Sequence, residues 1–289
     1  MSPAAERINR RFLKEYPPSP AIFPSEAPSP FAAHRASASR LDVVQGGRSE
    51  SAPAAPVRPA VSLRSSARSV SWSPEPVHRQ SAAVEQYRRL AAQLIQAGVE
   101  QGVKVVMIAS AVRGEGKSLT AANLAVTLAR SYQRDTLLID ADQRSPMQHD
   151  IFRVENTRGL CDWLRAGYDA PASTIQVMPS LTLMPAGHPT MDPMAGLSSS
   201  RMKSLIAEAK ASFDFVVIDS PPATLVPDAG VLVSLVDTTV LVIRAGSTPH
   251  ASVEQAVAAL GRERILGTVL NCADATTSAG RYWYGHGRA

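Results

Sequence analysis

The chain has 289 residues, 45% of them hydrophobic, and a formal charge of +5 from 30 Lys/Arg against 25 Asp/Glu. Residues 1–80 hold 11 basic and 6 acidic side chains and the rest hold 19 of each, so the folded part lacks the basic bias of a nucleic-acid binder. The most apolar run, 230–242, is interrupted by Asp237, Thr238 and Thr239 and is too short to span a bilayer.

Residues 1–80 read as a disordered Pro/Ser/Ala/Arg-rich tail, because 12 of the 22 prolines precede Val77 and large apolar residues follow no period. One exception is residues 4–15, a short basic helix with Ile8 and Phe12 on one face. Order is expected from 81 to 275. A helix at 81–98 is marked by Ala83, Tyr87, Leu90 and Leu94, with Gly98 to end it. Strands are expected at 103–109, 135–142, 181–184, 214–219, 236–243 and 265–269, and further helices at 119–132, 202–211 and 251–260. Apolar strands alternating with helices predict an α/β fold, a mostly parallel sheet with helices on both faces. Residues 276–289 read as a flexible tail containing tyrosines.

No apolar segment of the signal-peptide kind follows Met1, so a cytoplasmic protein is expected. Cys161 and Cys272 stand far apart and read as small buried apolar side chains in a reducing compartment. His149, His188 and His250 have no ligand spacing, and no structural metal is expected.

The chemistry concentrates in SAVRGEGKS, residues 110–118, between the first expected strand of the sheet and an alanine-rich helix. A glycine-rich turn that opens a helix aims backbone N–H groups at phosphate oxygens, where the helix dipole favours negative charge. Arg113, Gly114, Glu115, Gly116, Lys117, Ser118 and Leu119 are therefore the expected nucleotide contacts. Lys117 would reach the β/γ-phosphates and the Ser118 hydroxyl would ligate Mg²⁺, which makes ATP and Mg²⁺ the expected cofactors. Ala111 stands where the G-x-x-x-x-G-K-[ST] pattern has its first glycine.

Asp140 and Asp142 end one buried strand and Asp219 another, at the sheet edge where α/β folds bind ligands. A lone aspartate there is often only a cap or turn former. Three beside a phosphate loop supply what phosphoryl transfer needs: groups for the metal shell and a base for the nucleophile.

TLLIDADQRSP after SAVRGEGKS, with FVVIDSPP, resembles the Walker A′, A and B set of bacterial tyrosine kinases, deviant P-loop ATPases related to Min- and Par-type proteins. LMPAG, SSSRM, VPDAGVLVSLVDTTVLVIRAGST and ILGTVLN extend the resemblance from about residue 81 to the C-terminus. It implies an autokinase that regulates exopolysaccharide or capsule production. Its activator would be a membrane-embedded polysaccharide chain-length regulator, which would hold it at the inner face of the plasma membrane. The resemblance further implies a homo-oligomeric ring whose members phosphorylate each other's C-terminal tyrosines, here Tyr282 and Tyr284. Lys117 and Ser118 carry over as phosphate and Mg²⁺ ligands, Asp140 as the base, and Asp142 and Asp219 as metal-shell carboxylates. The division between Asp140 and Asp142 stays open, since neighbouring carboxylates titrate together. Asn271 falls where related ATPases contact adenine, and could equally be a turn residue. Arg144 would pair with one of the aspartates or contact the neighbouring subunit.

Some residues depart from the family pattern. The tyrosine run is thinned by Trp283, Gly285 and His286. The oligomerisation motif E-x-x-R-x-x-R, whose spacing is expected to put its charges along one helix face, keeps Glu85 and Arg88 but has Ala91 third. DPMAGL replaces an asparagine–proline–glutamate pattern. Two other readings follow: a Min/Par-like ATPase switch, and a kinase-like ATPase without appreciable tyrosine phosphorylation. Val112 stands where Min- and Par-type loops carry a signature lysine, and the chain ends in tyrosines rather than a membrane-binding helix. Both features favour the kinase.

Overall fold

The structure, a computed structural model, describes residues 63, 68–69, 82–165, 173–224 and 228–273. The elements run β1 (Arg68–Ser69), α1 (Ala82–Gln101), β2 (Val105–Ser110), α2 (Lys117–Ser131), β3 (Thr136–Asp140), α3 (Gln148–Phe152) and α4 (Leu160–Arg165). They continue with β4 (Ile175–Met178), β5 (Leu181–Met184), α5 (Pro193–Leu197), α6 (Ser200–Ser212), β6 (Phe215–Asp219) and α7 (Asp228–Val233). The last are β7 (Thr238–Arg244), α8 (His250–Leu260), a 3₁₀ turn (Arg262–Arg264) and β8 (Ile265–Asn271). One eight-stranded sheet has the order β1-β4-β5-β3-β6-β2-β7-β8, and every pair is parallel except β4–β5.

Strand pleating sends alternate side chains to opposite faces, and the core divides accordingly. Val105, Met107, Leu137, Ile139, Val216, Ile218 and Leu241 pack on one face with Leu205, Leu232 and Leu260 of α6, α7 and α8. Val106, Ile108, Leu138, Val217, Val240 and Val242 pack on the other with Leu94 of α1, Leu124 and Leu128 of α2 and Phe152 of α3. Both faces are thus covered, as a parallel sheet requires. Among the described residues no helix is long and apolar enough to cross a membrane.

Five expectations are corrected. The first helix passes through Gly98 and stops at Gln101, followed by Gly102 at φ 71°. Gly98 instead permits close packing, because a Cβ there would lie 3.0 Å from the Val103 carbonyl oxygen and 3.4 Å from the Phe215 ring. The motif positions on α1 do not share a face. Glu85 and Arg88 are exposed, whereas Ala91 is wholly buried in the packing of α1 on α2. Cys161 is buried as expected, and Cys272 is exposed because it follows the outermost strand. Arg144 pairs with the buried Asp228 at 2.9 Å and not with a site aspartate. The expected tail contributes Leu63, 1% exposed, and Arg68–Ser69 to the domain. The β4–β5 hairpin leaves an open edge that accepts this short strand, and Thr174 Oγ1 donates to the Leu63 carbonyl at 2.8 Å. Otherwise the tail, its 4–15 helix, and Tyr282 and Tyr284 lie outside the described residues.

Candidate active site

The carboxyl ends of the central strands converge on the phosphate loop. β2 ends at Ser110, the loop runs to Gly116, and α2 begins at Lys117, with the Thr120 N–H donating to the Gly116 carbonyl at 2.9 Å. Gly116 has φ 90°, and a Cβ there would also fall 2.1 Å from Asn271 Nδ2, so two separate constraints require glycine. The 15-residue α2 points its free N–H end at this turn. Arg113, Gly114 and Leu119 are exposed, and Glu115 and Lys117 are buried.

β3 and β6 are neighbours in register, with Asp140 opposite Asp219. That register, set by apolar strands buried on both faces, brings together carboxylates 79 positions apart in sequence. Lys117 Nζ lies 2.7 Å from Asp142 Oδ2, 3.5 Å from Asp219 Oδ1 and 3.1 Å from Ser118 Oγ. Asp142 Oδ1 accepts the Ser145 N–H at 3.1 Å. Both Asp142 oxygens are therefore occupied, and this residue holds the lysine.

Gln148, which no sequence pattern singled out, ties the site together. Its N–H donates to Asp140 Oδ2 at 2.9 Å, beside the Met147 N–H at 3.0 Å. Its side-chain amide donates to Asp219 Oδ2 at 2.8 Å and to the Ser118 carbonyl at 2.9 Å. One fully buried residue, through its backbone N–H and its side chain, thus joins both strand-end aspartates to the phosphate loop. Nothing in the sequence marks it, since Gln148 stands beside two other polar residues, His149 and Asp150.

Three carboxylates face one ammonium in a site closed to solvent. Burial is the largest influence on Asp140 and, with the charge of Asp219, pushes its pKa up to about 8 against the pull of Gln148, Lys117 and Met147. Burial also raises Asp219, opposed by Lys117, Gln148 and the Ser118 hydroxyl. Burial acts to lower Lys117, but Asp219, Asp142 and Asp140 outweigh it and hold the ammonium above its ordinary value. Such displaced carboxyls are characteristic of sites that move protons or charge.

A divalent cation fits these residues. Asp140 Oδ1 and Asp219 Oδ1 are buried without hydrogen-bond partners, beside the Ser118 hydroxyl. Oxygen donors and excess negative charge suit Mg²⁺. Among the described residues no group of three or more His, Cys, Asp and Glu is placed to enclose a metal.

Asn271 reaches the loop, where its side-chain amide donates to the Glu115 carbonyl at 2.8 Å and its Oδ1 accepts the Cys272 N–H. Glu85 lies on exposed α1, 3.6 Å from Arg88 and 3.9 Å from Arg89.

This loop, with buried aspartates at the ends of adjacent parallel strands, defines a P-loop NTPase of the ParA type. Residues 102–279 match the ParA family, described as NUBPL iron-transfer P-loop NTPase; iron transfer belongs to the member so described. The chain is 40% identical over 190 residues to tyrosine-protein kinase YwqD of Bacillus subtilis (strain 168), covering 65% of this chain and 80% of that one. It is 35% identical over 172 residues to tyrosine-protein kinase CpsD of Streptococcus agalactiae, covering 58% and 75%. The kinase domain of Escherichia coli tyrosine kinase ETK superposes with a TM-score of 0.61 at 29% identity, covering 71% of this chain and 88% of that domain. The chain belongs to the bacterial tyrosine-kinase family. It is an ATP-using protein-tyrosine kinase domain.

Proposed function

We propose that this kinase transfers the γ-phosphoryl group of Mg²⁺·ATP to Tyr282 and Tyr284 of a neighbouring copy. On this reading it works in a homo-oligomeric ring at the inner face of the plasma membrane, activated by a membrane-embedded polysaccharide chain-length regulator, and controls exopolysaccharide export. The observation that carries the chemistry is the placing of Asp140: a buried carboxyl opposite Asp219 at the strand ends, with Oδ1 free of hydrogen-bond partners and its pKa pushed by burial up to about 8. A phenol, with a pKa near ~10, attacks phosphorus well only as its proton leaves, and a base tuned close to neutrality takes that proton efficiently. The tyrosine oxygen forms the new P–O bond, the bond to the β-phosphate oxygen breaks, ADP departs, and the proton goes to Asp140. Lys117, drawn from Asp142, neutralises the β/γ-phosphates, and the N-terminus of α2 cradles them. Ser118 and Asp219 would hold Mg²⁺, which would supply positive charge to offset the charge on the transferred phosphoryl group.

Two features of this chain suit a kinase-like ATPase switch without appreciable tyrosine phosphorylation: the missing third charge at Ala91 and the thinned tyrosine run. The two readings separate in one assay. Full-length protein with Mg²⁺·ATP and the cytoplasmic segment of its regulator should accumulate phosphotyrosine. Lys117→Met should abolish it, and Tyr282→Phe with Tyr284→Phe should remove nearly all of it. ATP hydrolysis without phosphotyrosine would overturn the kinase reading in favour of the switch.

A further inference from the structure

Glu115 lies within the phosphate loop yet is only 2% exposed, and its carboxylate is turned into the fold. One oxygen, Oε2, accepts the Val112 N–H at 2.7 Å, which closes the loop on itself. The other, Oε1, accepts the Thr248 hydroxyl and, at 3.4 Å, the Arg244 N–H. Thr248 and Arg244 belong to the turn that leaves β7, and β7 borders β2, the strand that carries the loop.

The turn is held by its own hydrogen bonds. Both the Thr248 N–H and the Ser247 N–H donate to the Arg244 carbonyl, at 3.2 and 3.3 Å. The Thr248 oxygen accepts the Arg244 N–H at 3.1 Å, and its hydroxyl lies closer to Glu115 Oε1 than to its other acceptor, the Arg244 carbonyl at 3.2 Å. Arg244 Nη1 donates to the Gly114 carbonyl at 3.3 Å. Asn271 closes the other side through the Glu115 carbonyl. A loop rich in glycine, with Ala111 at its first position, has little of its own to define its shape. A buried carboxylate fastened to the end of β7, with its own backbone carbonyl held by Asn271, supplies that definition.

We infer that Thr248 is a positioning residue for the nucleotide: through Glu115 it fixes the phosphate loop in the shape that receives phosphate oxygens. A loop already ordered costs the ligand nothing to order, so the effect belongs in nucleotide affinity. Thr248 has no part in the transfer step, which Asp140 and Lys117 serve at the other end of the loop.

The test uses the full chain with Thr248→Val, which keeps the shape and removes the hydroxyl, and Thr248→Ser, which returns it. ADP affinity, measured by calorimetry, should fall about tenfold in Thr248→Val, as expected for loss of a hydrogen bond to a charged group. The KM for ATP should rise in parallel while turnover at saturating ATP stays within about twofold, and Thr248→Ser should restore both. Unchanged ADP affinity in Thr248→Val overturns the inference, whatever happens to its melting temperature. Failure of Thr248→Ser to restore affinity overturns it as well. ADP binding needs no tyrosine acceptor, so either result stands apart from the proposal for Tyr282 and Tyr284.

Discussion

Aspartates guard both ends of the same sheet, and the two ends treat them in opposite ways. At the carboxyl end, burial raises the pKa of Asp140 and Asp219. At the amino end, Asp237 precedes β7 and accepts the Lys104 and Val105 N–H groups, both at 2.9 Å, and pairs with Lys210 at 2.5 Å. Burial acts to raise it too, but Lys210 and those two N–H groups prevail and hold it below the ordinary carboxylate range. One carboxylate is made comfortable in its charged form and stabilises the fold. The other two are kept uncomfortable, which is useful only where a proton or a cation will arrive.

Asp140→Asn should separate function from stability most sharply. The amide keeps an oxygen for the Met147 and Gln148 N–H groups but cannot take a proton, so tyrosine phosphorylation should fall by roughly 10²–10⁴. The folded pKa of Asp140 lies above its unfolded value. Its ionisation therefore costs stability progressively as pH rises from about 4 towards about 8. Measured without Mg²⁺ at pH 8, Asp140→Asn should melt higher than the parent, and the gap should close near pH 4. A lower melting temperature at pH 8 would mean that Asp140 is a structural acceptor rather than a strained base.

Asp237→Ala should do the reverse, with activity per folded molecule unchanged and stability reduced. The part-buried Val105 N–H and the exposed Lys104 N–H would lose their acceptor, a cost of about 1 kcal/mol, or roughly 2–4 °C in a domain of this size. The folded pKa is depressed, so this stabilisation is complete above the ordinary carboxylate pKa and is lost as pH falls through the lower folded value. The melting curves of parent and variant should converge in acid below about pH 4. A constant gap would assign the loss to packing instead of charge.

The two ends also differ in what the sequence discloses. Asp140, Asp142 and Asp219 stand out because they terminate runs of Leu, Ile and Val, and Lys117 because glycines precede it. Such signals are local. What joins them is not, since Asp140 meets Asp219 only through the β3–β6 register, and Gln148 reaches three partners from a short helix without a motif. Asp142 was legible as a site residue, but its hold on Lys117 is a matter of side-chain reach. Glu115 sat in the motif as an expected nucleotide contact, and only β7, far along the chain, reveals the turn of its carboxylate into the fold. The major strands were readable because both faces are buried. The 3₁₀ turn, the antiparallel β4 and the edge strand β1 were not, because short elements carry too few residues to show a period.

Helix α1 gives the weakest test and the cleanest contrast with both sheet ends. Glu85 and Arg88, with side chains 54% and 48% exposed and 3.6 Å apart, form an ion pair that water and salt screen. Exposed helical pairs of this kind contribute about 0.3–0.5 kcal/mol, so Glu85→Ala should shift the melting temperature by no more than about 2 °C. Any larger consequence has to arise between copies. If Glu85 and Arg88 make a subunit contact, Glu85→Ala should lower the weight-average sedimentation coefficient at a protein concentration where the parent self-associates. ADP affinity should stay the same, because no described contact links Glu85 to the phosphate loop. Unchanged sedimentation would count against the proposed subunit contact at Glu85 and Arg88. Ala91, buried against α2, is in no position to replace the contact, since an arginine there would have to enter the core.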